Sequence, residues 1–390
     1  MQNAITTLRI QNFKSIKDVT MKPRRVNIII GEPNVGKSNI LEALSLLGGM
    51  VYEQMEKFMG SFIRYEEPRQ LFYDNLVTNT IKIESDKDVA LLGKGFNTPL
   101  ITYLLTGAKF YKSDFARRRQ ESGGTRASNN IHMNMIDEFK HLVLTPHAKF
   151  IEKANPLFAE IDDNGTSWTA TDRGVYLSSS RRHAGTHIQP YTFSKSTAIG
   201  NEHSYRMLQS PYGDNLINVI QAFPELRKEV ANLFKPYGLK MQLRMAERKL
   251  EVVKDLDGFV YSYPYSSIAD TLQRLVFYLA AIESNNDAVL LFEEPEAHSF
   301  PSYIMHLAQS IVESRNNQFF IVTHSPYLLT EVLEEMLTDD ELKPELAVFA
   351  AYYEDYQTKV HQLTDEEMVR ARADGLDFFL NLRRFVPETE

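Results

Sequence analysis

Residues 31–38 are Gly31-Glu32-Pro33-Asn34-Val35-Gly36-Lys37-Ser38 and match the pattern G-x-x-x-x-G-K-[ST]. The glycines permit a tight turn in which successive backbone N–H groups point at a phosphate chain. A compact β-branched run, Val26 to Ile30, precedes the turn, and an apolar helical pattern, Asn39 to Leu47, follows it. This context argues against a chance match in an ordinary loop, and we predict a phosphate-binding loop (the P-loop, residues 31–38).

The polar residues of the P-loop each have an expected role. The helix that begins at Ser38 directs its positive dipole end at the bound anion. Lys37 is expected to reach the β- and γ-phosphates, and the Ser38 hydroxyl to bind Mg²⁺. The cofactors are therefore expected to be ATP and Mg²⁺. The predicted nucleotide contacts in this segment are Gly31, Pro33, Asn34, Val35, Gly36, Lys37, Ser38 and Asn39.

Two acidic residues follow a second buried strand pattern. The run Ala288 to Phe292 is wholly apolar and ends in Glu293 and Glu294. Adjacent carboxylates at the end of a buried strand are costly unless they have a use. Magnesium-dependent phosphoryl chemistry supplies one, because one carboxylate holds the metal shell and the other polarises the attacking water. We assign Glu293 to the metal and Glu294 to the general base; the alternative is a solvated strand end.

A histidine follows the next strand pattern. The run Phe319 to Val322 leads into Thr323-His324-Ser325-Pro326. If this strand is the parallel neighbour of the acidic one, His324 lies at the same sheet edge, where ligands collect in open α/β sheets. We predict that His324 senses the γ-phosphate through a hydrogen bond. A purely structural histidine is the alternative.

These motifs together resemble a known branch of ATPases. Residues Leu8 to Ile16, Glu293 to His298 and Thr323 to Pro326 are similar to the SMC/RecF/OLD branch of the ABC-type ATPases. More closely, the chain resembles the stand-alone AAA-family ATPases found beside nucleases in bacterial phage-defence systems. The resemblance covers about the first 85 and the last 125 residues and implies that Lys14 touches the nucleotide.

The resemblance also implies a signature segment, Tyr265 to Arg274, before the acidic pair. Ser266 and Ser267 match its serines, but Ala269 and Thr271 stand where glycines are expected. In the family this segment faces the nucleotide of a second subunit, which implies a homodimer of heads. The alternative is a plain N-terminal cap of a core helix.

The expected fold is an α/β P-loop NTPase of the ABC/SMC type. It combines a mixed N-terminal sheet, a parallel core sheet with helices and a mostly helical inserted lobe. The expected organisation is an N-terminal part of the head (1–105), the inserted lobe (106–265) and a C-terminal part of the head (266–390). Few residues follow Pro326, so we expect no C-terminal nuclease domain of the OLD kind.

Composition and charge limit the remaining possibilities. The chain of 390 residues carries a net charge of −8. Because it contains no cysteine, disulfides and cysteine-based zinc sites are excluded. Its hydrophobic fraction of 43% suffices for a large core. The longest apolar stretch, Leu275 to Ile282, is too short to span a bilayer, and Met1 to Leu8 lacks a signal-peptide core. We expect a cytoplasmic protein that does not contact membranes.

Three hypotheses for function remain open at this stage. The first is an ATP-hydrolysing switch that regulates a separate effector, such as a nuclease or toxin, in phage defence. The second is a RecF-like ATPase that binds DNA; Arg117–Arg119 with Arg126 and Arg181–His183 are its candidate phosphate contacts, with solvated loops as the alternative. The third is an ATP-gated scaffold with little turnover. It is favoured by Glu293, which stands where this motif usually has aspartate, and by the glycine-poor signature segment.

Overall fold

A computed structural model describes residues 1–48, 57–95, 100–113, 136–137, 157–169, 187–195, 206–244, 247, 249–374 and 378–386. The two basic stretches, 117–126 and 181–183, lie outside these ranges. Strands and helices alternate along the C-terminal third, as the sequence predicts. The expected mixed α/β class is therefore confirmed.

The described strands fall into three sheets. In chain order they are β1 (Leu8–Phe13), β2 (Ile16–Met21), β3 (Val26–Gly31), β4 (Ile81–Ser85), β5 (Asp88–Lys94), β6 (Ile101–Gly107), β7 (Leu157–Ile161), β8 (Ser167–Thr169), β9 (Ile188–Tyr191), β10 (Leu239–Arg244), β11 (Lys249–Leu256), β12 (Phe259–Pro264), β13 (Val289–Glu293), β14 (Gln318–Val322), β15 (Leu346–Glu354) and β16 (Gln357–Gln362). The described α-helices are α1 (Lys37–Ser45), α2 (Leu216–Ala222), α3 (Pro224–Phe234), α4 (Asp270–Ser284), α5 (Pro301–Glu313), α6 (Pro326–Leu337) and α7 (Asp365–Ala373).

The core sheet has the strand order β16-β15-β3-β14-β13-β9. Its strands run parallel except β16, which forms a hairpin with β15. Every residue of β3 and of β14 is buried, as expected for strands covered on both faces. Alternate residues serve opposite layers, because Ile28 and Ile30 join one hydrophobic core while Ile29 joins the other.

The P-loop helix α1 lies between two sheets. On one side is the core sheet, and on the other is an antiparallel sheet of order β2-β1-β4-β5-β6-β7-β8. The apolar face of α1, including Ile40 and Leu44, packs in the same core as Ile10 of β1 and Phe320 of β14. This packing fixes the P-loop between the first strands of the chain and the C-terminal strands.

The opposite face of the core sheet is covered by helices α2 to α7. The sequence has one continuous helical pattern over Asn215–Leu233, and Pro224 divides it into α2 and α3, with Phe223 extended between them. The division follows from proline, which disfavours a helical residue before it and suits the first turn of a helix. Helix α4 has 15 residues. None of the described helices combines the length and apolar character needed to cross a membrane.

The described part of residues 106–265 is more mixed than the expected mostly helical lobe. Strands β7 and β8 extend the antiparallel sheet, and β9 forms an edge of the core sheet. The hairpin of β10 and β11 pairs with β12 to form a separate antiparallel sheet of three strands. A sheet edge carries unpaired N–H and C=O groups, so a strand from a distant segment can complete it. The insertion therefore contributes strands to both sheets of the head.

Candidate functional site

The strand order places the three predicted motifs side by side. Strand β14 lies between β3 and β13, and both pairings are parallel. The register aligns Ile29 with Val322, and Val322 with Glu293. The P-loop, His324 and Glu294 therefore leave the sheet at the same carboxyl edge, where ligands bind in open α/β folds. The predicted parallel pairing of the acidic strand and the histidine strand is confirmed.

The P-loop is shaped by two glycines that admit no side chain. Gly36 has φ +92°, and a Cβ there would lie 2.1 Å from Oγ1 of Thr358 and 2.6 Å from Oγ of Ser15. A Cβ on Gly31 would lie 2.4 Å from the carbonyl oxygen of Ala351. Asn34 adopts a left-handed conformation with φ +62°. These positions form a curved backbone of the kind that holds a phosphate chain.

The remaining P-loop residues hold the loop in place. Pro33 is exposed at the tip, whereas Val35 is buried and its carbonyl accepts a hydrogen bond from Thr358 Oγ1 at 2.8 Å. Ser38 and Asn39 lie in the first turn of α1. Asn39 donates to Ser15 Oγ at 2.7 Å. Ser15 and Thr358 were not predicted from the sequence, since they stand 343 residues apart and meet only in the fold.

Replacing Gly36 with alanine should destabilise the fold and disrupt the P-loop. The new Cβ meets both a strained φ and the Thr358 hydroxyl, so we expect a loss of about 2–4 kcal/mol in unfolding free energy. Gly258→Ala is a matched control, because Gly258 has φ +79° but open space around it. It should cost about 1 kcal/mol. Chemical denaturation of both variants measures the difference, and equal losses would show that the close contact costs nothing.

Lys37 is buried within the curve of the P-loop. Its ammonium donates to the carbonyls of Gly31 at 2.9 Å and Glu32 at 2.7 Å. Burial lowers the pKa of Lys37 to about 8, and the carboxylate of Glu294 partly opposes this change. The interaction shows that Lys37 and Glu294, 257 positions apart in the sequence, share one electrostatic environment.

Glu294 and His324 form the opposite wall. His324 Nε2 lies 3.6 Å from Glu294 Oε1. Burial, and then the charge of Lys37, lower the pKa of His324, which favours a neutral imidazole near pH 7. Glu294 has φ +44°, an uncommon conformation for a residue with a side chain, and its N–H donates to Val322 O at 2.8 Å. Strained backbone of this kind is often found at functional sites.

Glu296 positions the histidine loop and was not predicted. It is buried and accepts hydrogen bonds from Thr323 Oγ1 at 2.5 Å and from the His324 N–H at 3.2 Å. Burial raises the pKa of Glu296. These bonds fix the backbone of His324 relative to the acidic pair. The available signal was the place of Glu296 in the segment Glu293 to His298, which carries part of the family resemblance.

Glu293 and Lys14 belong to one group of charged residues beside the P-loop. Lys14, in a left-handed turn after β1, pairs with the buried carboxylate of Glu42 on α1. Arg64 joins Glu42 to Glu293. Lys14 therefore pairs directly with Glu42, and Arg64 links Glu42 to Glu293. Glu42 and Arg64 were not predicted; a glutamate within the apolar pattern of α1 was the available signal.

The residues assigned to magnesium suit that ion. Mg²⁺ is usually held by one or two carboxylates together with substrate phosphates and water. Ser38 stands at the start of α1 and Glu293 at the end of β13, and α1 packs against β13. Among the described residues, no group of three or more His, Asp or Glu side chains forms a metal cluster. One carboxylate, one hydroxyl and a curved phosphate loop are therefore the donors that fit.

The signature segment makes its hydrogen bonds to its own turn and to the loop after Glu294. Ser266 and Ser267 form a 3₁₀ turn after β12, and Ser267 donates to Pro264 O at 2.7 Å. Within the described ranges, no hydrogen bond joins either serine to residues 31–38. Thr271 Oγ1 donates to His298 O at 2.8 Å, which ties the segment to the loop after Glu294. Asp270 begins α4 and Ala269 is its cap residue.

Comparison with known proteins agrees with this architecture. A protein-family profile described as "AAA domain, putative AbiEii toxin, Type IV TA system" matches residues 26–330. No curated protein matches the chain.

Several solved structures of SMC heads are similar to the chain. A head bound to the C-terminal winged-helix domain of ScpA has a TM-score of 0.47 at 13% identity and covers 94% of this chain and 99% of its own. The SMC head domain from Thermotoga maritima has a TM-score of 0.39 at 12% identity and covers 92% of this chain and 99% of its own. A third structure is an Smc head domain with an extended coiled coil, bound to the C-terminal domain of ScpA derived from Pyrococcus furiosus. It has a TM-score of 0.45 at 12% identity and covers 95% of this chain and 98% of its own.

The P-loop, the strand order that aligns it with Glu294 and His324, and the match over residues 26–330 lead to one assignment. The chain belongs to the AAA-domain family of P-loop ATPases that includes the AbiEii type.

Proposed function

We propose that this protein is a magnesium-dependent ATP-hydrolysing switch. The observation that carries the proposal is the meeting of Lys37, Glu294 and His324 at one sheet edge. Two of these groups are separated from the P-loop by more than 250 residues, so their proximity is a property of the fold. A cation, a carboxylate and an imidazole at the end of a phosphate loop are the groups that phosphoryl transfer to water requires.

Each residue has a role that follows from its position. The backbone of the P-loop binds the phosphates, and Lys37 neutralises their charge. Magnesium, held by Ser38 and Glu293, would supply charge stabilisation at the phosphate oxygens. Glu294 accepts a proton from the attacking water, and the neutral His324 hydrogen-bonds the γ-phosphate. Glu296 holds His324 in place through its loop.

We propose that two copies close head to head on ATP. The Ser266–Ser267 turn is exposed to solvent, and among the described residues it makes no hydrogen bond to the P-loop, which agrees with a role across a dimer. The bond from Thr271 to His298 offers a route from that surface to the acidic pair. The family description names a putative AbiEii toxin and a Type IV TA system, and together with the resemblance to phage-defence ATPases it favours a role in phage defence. In this role, residues 106–265 pass the open or closed state to an effector.

Phosphate release by the purified protein tests the proposal. We expect magnesium-dependent ATP hydrolysis with a kcat of about 1–10³ s⁻¹ and no requirement for DNA. Stimulation by DNA that falls steeply with salt would favour the DNA-binding alternative. Tight ATP binding without turnover would favour the ATP-gated scaffold. A protein that neither binds nor hydrolyses ATP would contradict all three hypotheses.

A further inference from the structure

A row of four charged side chains extends from Lys14, in the turn after β1, to Glu293, the carboxylate proposed to bind magnesium. Arg64 Nε donates to Glu42 Oε1 at 2.8 Å, and its Nη2 donates to Glu293 Oε1 at 3.0 Å. The second oxygen of Glu42 accepts from Lys14, whose Nζ also donates to the Arg64 carbonyl at 2.6 Å. Two cations and two carboxylates thus alternate beside the P-loop.

The two carboxylates that bind the Arg64 guanidinium differ in their exposure to solvent. The side chain of Glu42 is only 5% exposed, whereas that of Glu293 is 30% exposed. A buried carboxylate that lost its cations would be strongly destabilising, so the bond to Glu42 is the durable one. The bond to Glu293 is partly exposed and therefore weak. Glu42 holds the guanidinium, and Glu293 can exchange it for another cation.

We propose that Arg64 competes with the magnesium ion for Glu293, with Glu42 as the positioning residue that presents Arg64. The inference rests on the proposed function, in which Glu293 binds the metal. A divalent cation at Glu293 would stand beside the guanidinium that now holds Oε1, and the two like charges repel. Magnesium binding and the Arg64–Glu293 pair therefore oppose each other, and this coupling acts equally in both directions. Entry of magnesium–ATP frees Nη2 of Arg64 while Nε stays on Glu42.

A titration of magnesium against a fluorescent ATP analogue tests this competition without measuring turnover. In Arg64→Gln, we expect the half-saturating magnesium concentration to fall roughly two- to fivefold, the effect of one partly exposed ion pair. Arg69→Gln is the matched control, since Arg69 follows in the same segment, is similarly exposed and pairs only with Glu67 among the described residues. Its magnesium requirement should equal that of the wild type.

A second variant protects the test against misfolding. Arg64→Lys keeps the positive charge beside Glu42, but a single ammonium cannot span both carboxylates as the guanidinium fork does. It should lower the magnesium requirement in the same direction as Arg64→Gln. Affinity for the analogue in EDTA should change no more in either Arg64 variant than in Arg69→Gln.

Two results would overturn the competition. One is a magnesium requirement in both Arg64 variants that equals or exceeds that of the wild type. The other is a selective loss of metal-free nucleotide affinity, which would make Arg64 a ligand of the phosphates. A wild-type protein that binds no nucleotide would remove the proposed function and this inference together, whereas normal binding with an unchanged magnesium requirement removes the inference alone.

Discussion

Glu294→Gln should bind ATP with near wild-type affinity and hydrolyse it about 10²–10⁴-fold more slowly, the usual contribution of a general base. The amide keeps the size of the carboxylate beside His324 Nε2 but cannot take a proton from water. Closed dimers should accumulate in ATP, because hydrolysis is the proposed step that opens them. Phosphate release, analogue binding and light scattering after size-exclusion chromatography measure the three effects.

The control for this variant is Glu335→Gln, which removes an exposed carboxylate from the last turn of α6. It should leave turnover unchanged. Undiminished hydrolysis in Glu294→Gln would show that another group activates the water. Reduced affinity together with reduced turnover would instead place Glu294 in nucleotide binding, contrary to the assigned role.

Lys37→Met should lose at least about 100-fold in ATP affinity, because a buried ammonium aimed at the phosphates contributes a charge-assisted bond in a low-dielectric site. The methionine fills a similar volume, so the fold should persist even though two bonds to the loop carbonyls are lost. Equilibrium binding of the fluorescent analogue measures the loss. Lys22→Met, at an exposed position after β2, is the control.

Lys37 should also make the ATP affinity of the wild-type protein depend on pH. Burial lowers the pKa of Lys37 to about 8, so the side chain is charged below that pH and becomes neutral above it. A bound phosphate favours the charged form. Wild-type affinity should therefore be level below about pH 7.5 and fall towards about pH 9, by up to tenfold per unit. Lys37→Met should show no such decline. An identical decline in both proteins would assign it to another group.

Local motifs of the site were predictable because their geometry is local. The P-loop is a turn whose glycines, lysine and serine lie within eight consecutive positions, and Gly36 adopts the left-handed conformation that such a turn needs. The strand Gln318–Val322 lies where the apolar run Phe319 to Val322 predicts it, since such a run is typical of a strand covered on both faces. The structure gives the positions of the site residues, and the roles assigned to them stay predictions, including those of Lys37, Glu293, Glu294, His324, Lys14, Ser266 and Ser267.

Supporting residues escaped prediction because their partners are remote. Thr358 closes over the P-loop from β16, and Arg64 reaches Glu293 across 229 positions. Sequence periodicity and motif spacing do not identify such side chains, because their roles depend on contacts that form only in the folded protein. The strands that residues 106–265 add to the two sheets could not be placed from the sequence for a related reason, since an edge strand such as β9 is recognised by its pairing with β13 in the folded sheet.

The sequence by itself determined the chemistry available to this protein: a phosphate-binding turn, two carboxylates after a buried strand and a histidine after another. Only the tertiary structure decided their arrangement, because the order β3-β14-β13 sets His324 between the P-loop and Glu294. Hydrogen bonding between parallel strands fixes that order, and hydrophobic cores on both faces of the sheet hold it. Which charges meet at the sheet edge, including Arg64 on Glu293, follows from the packing of segments far apart in the chain.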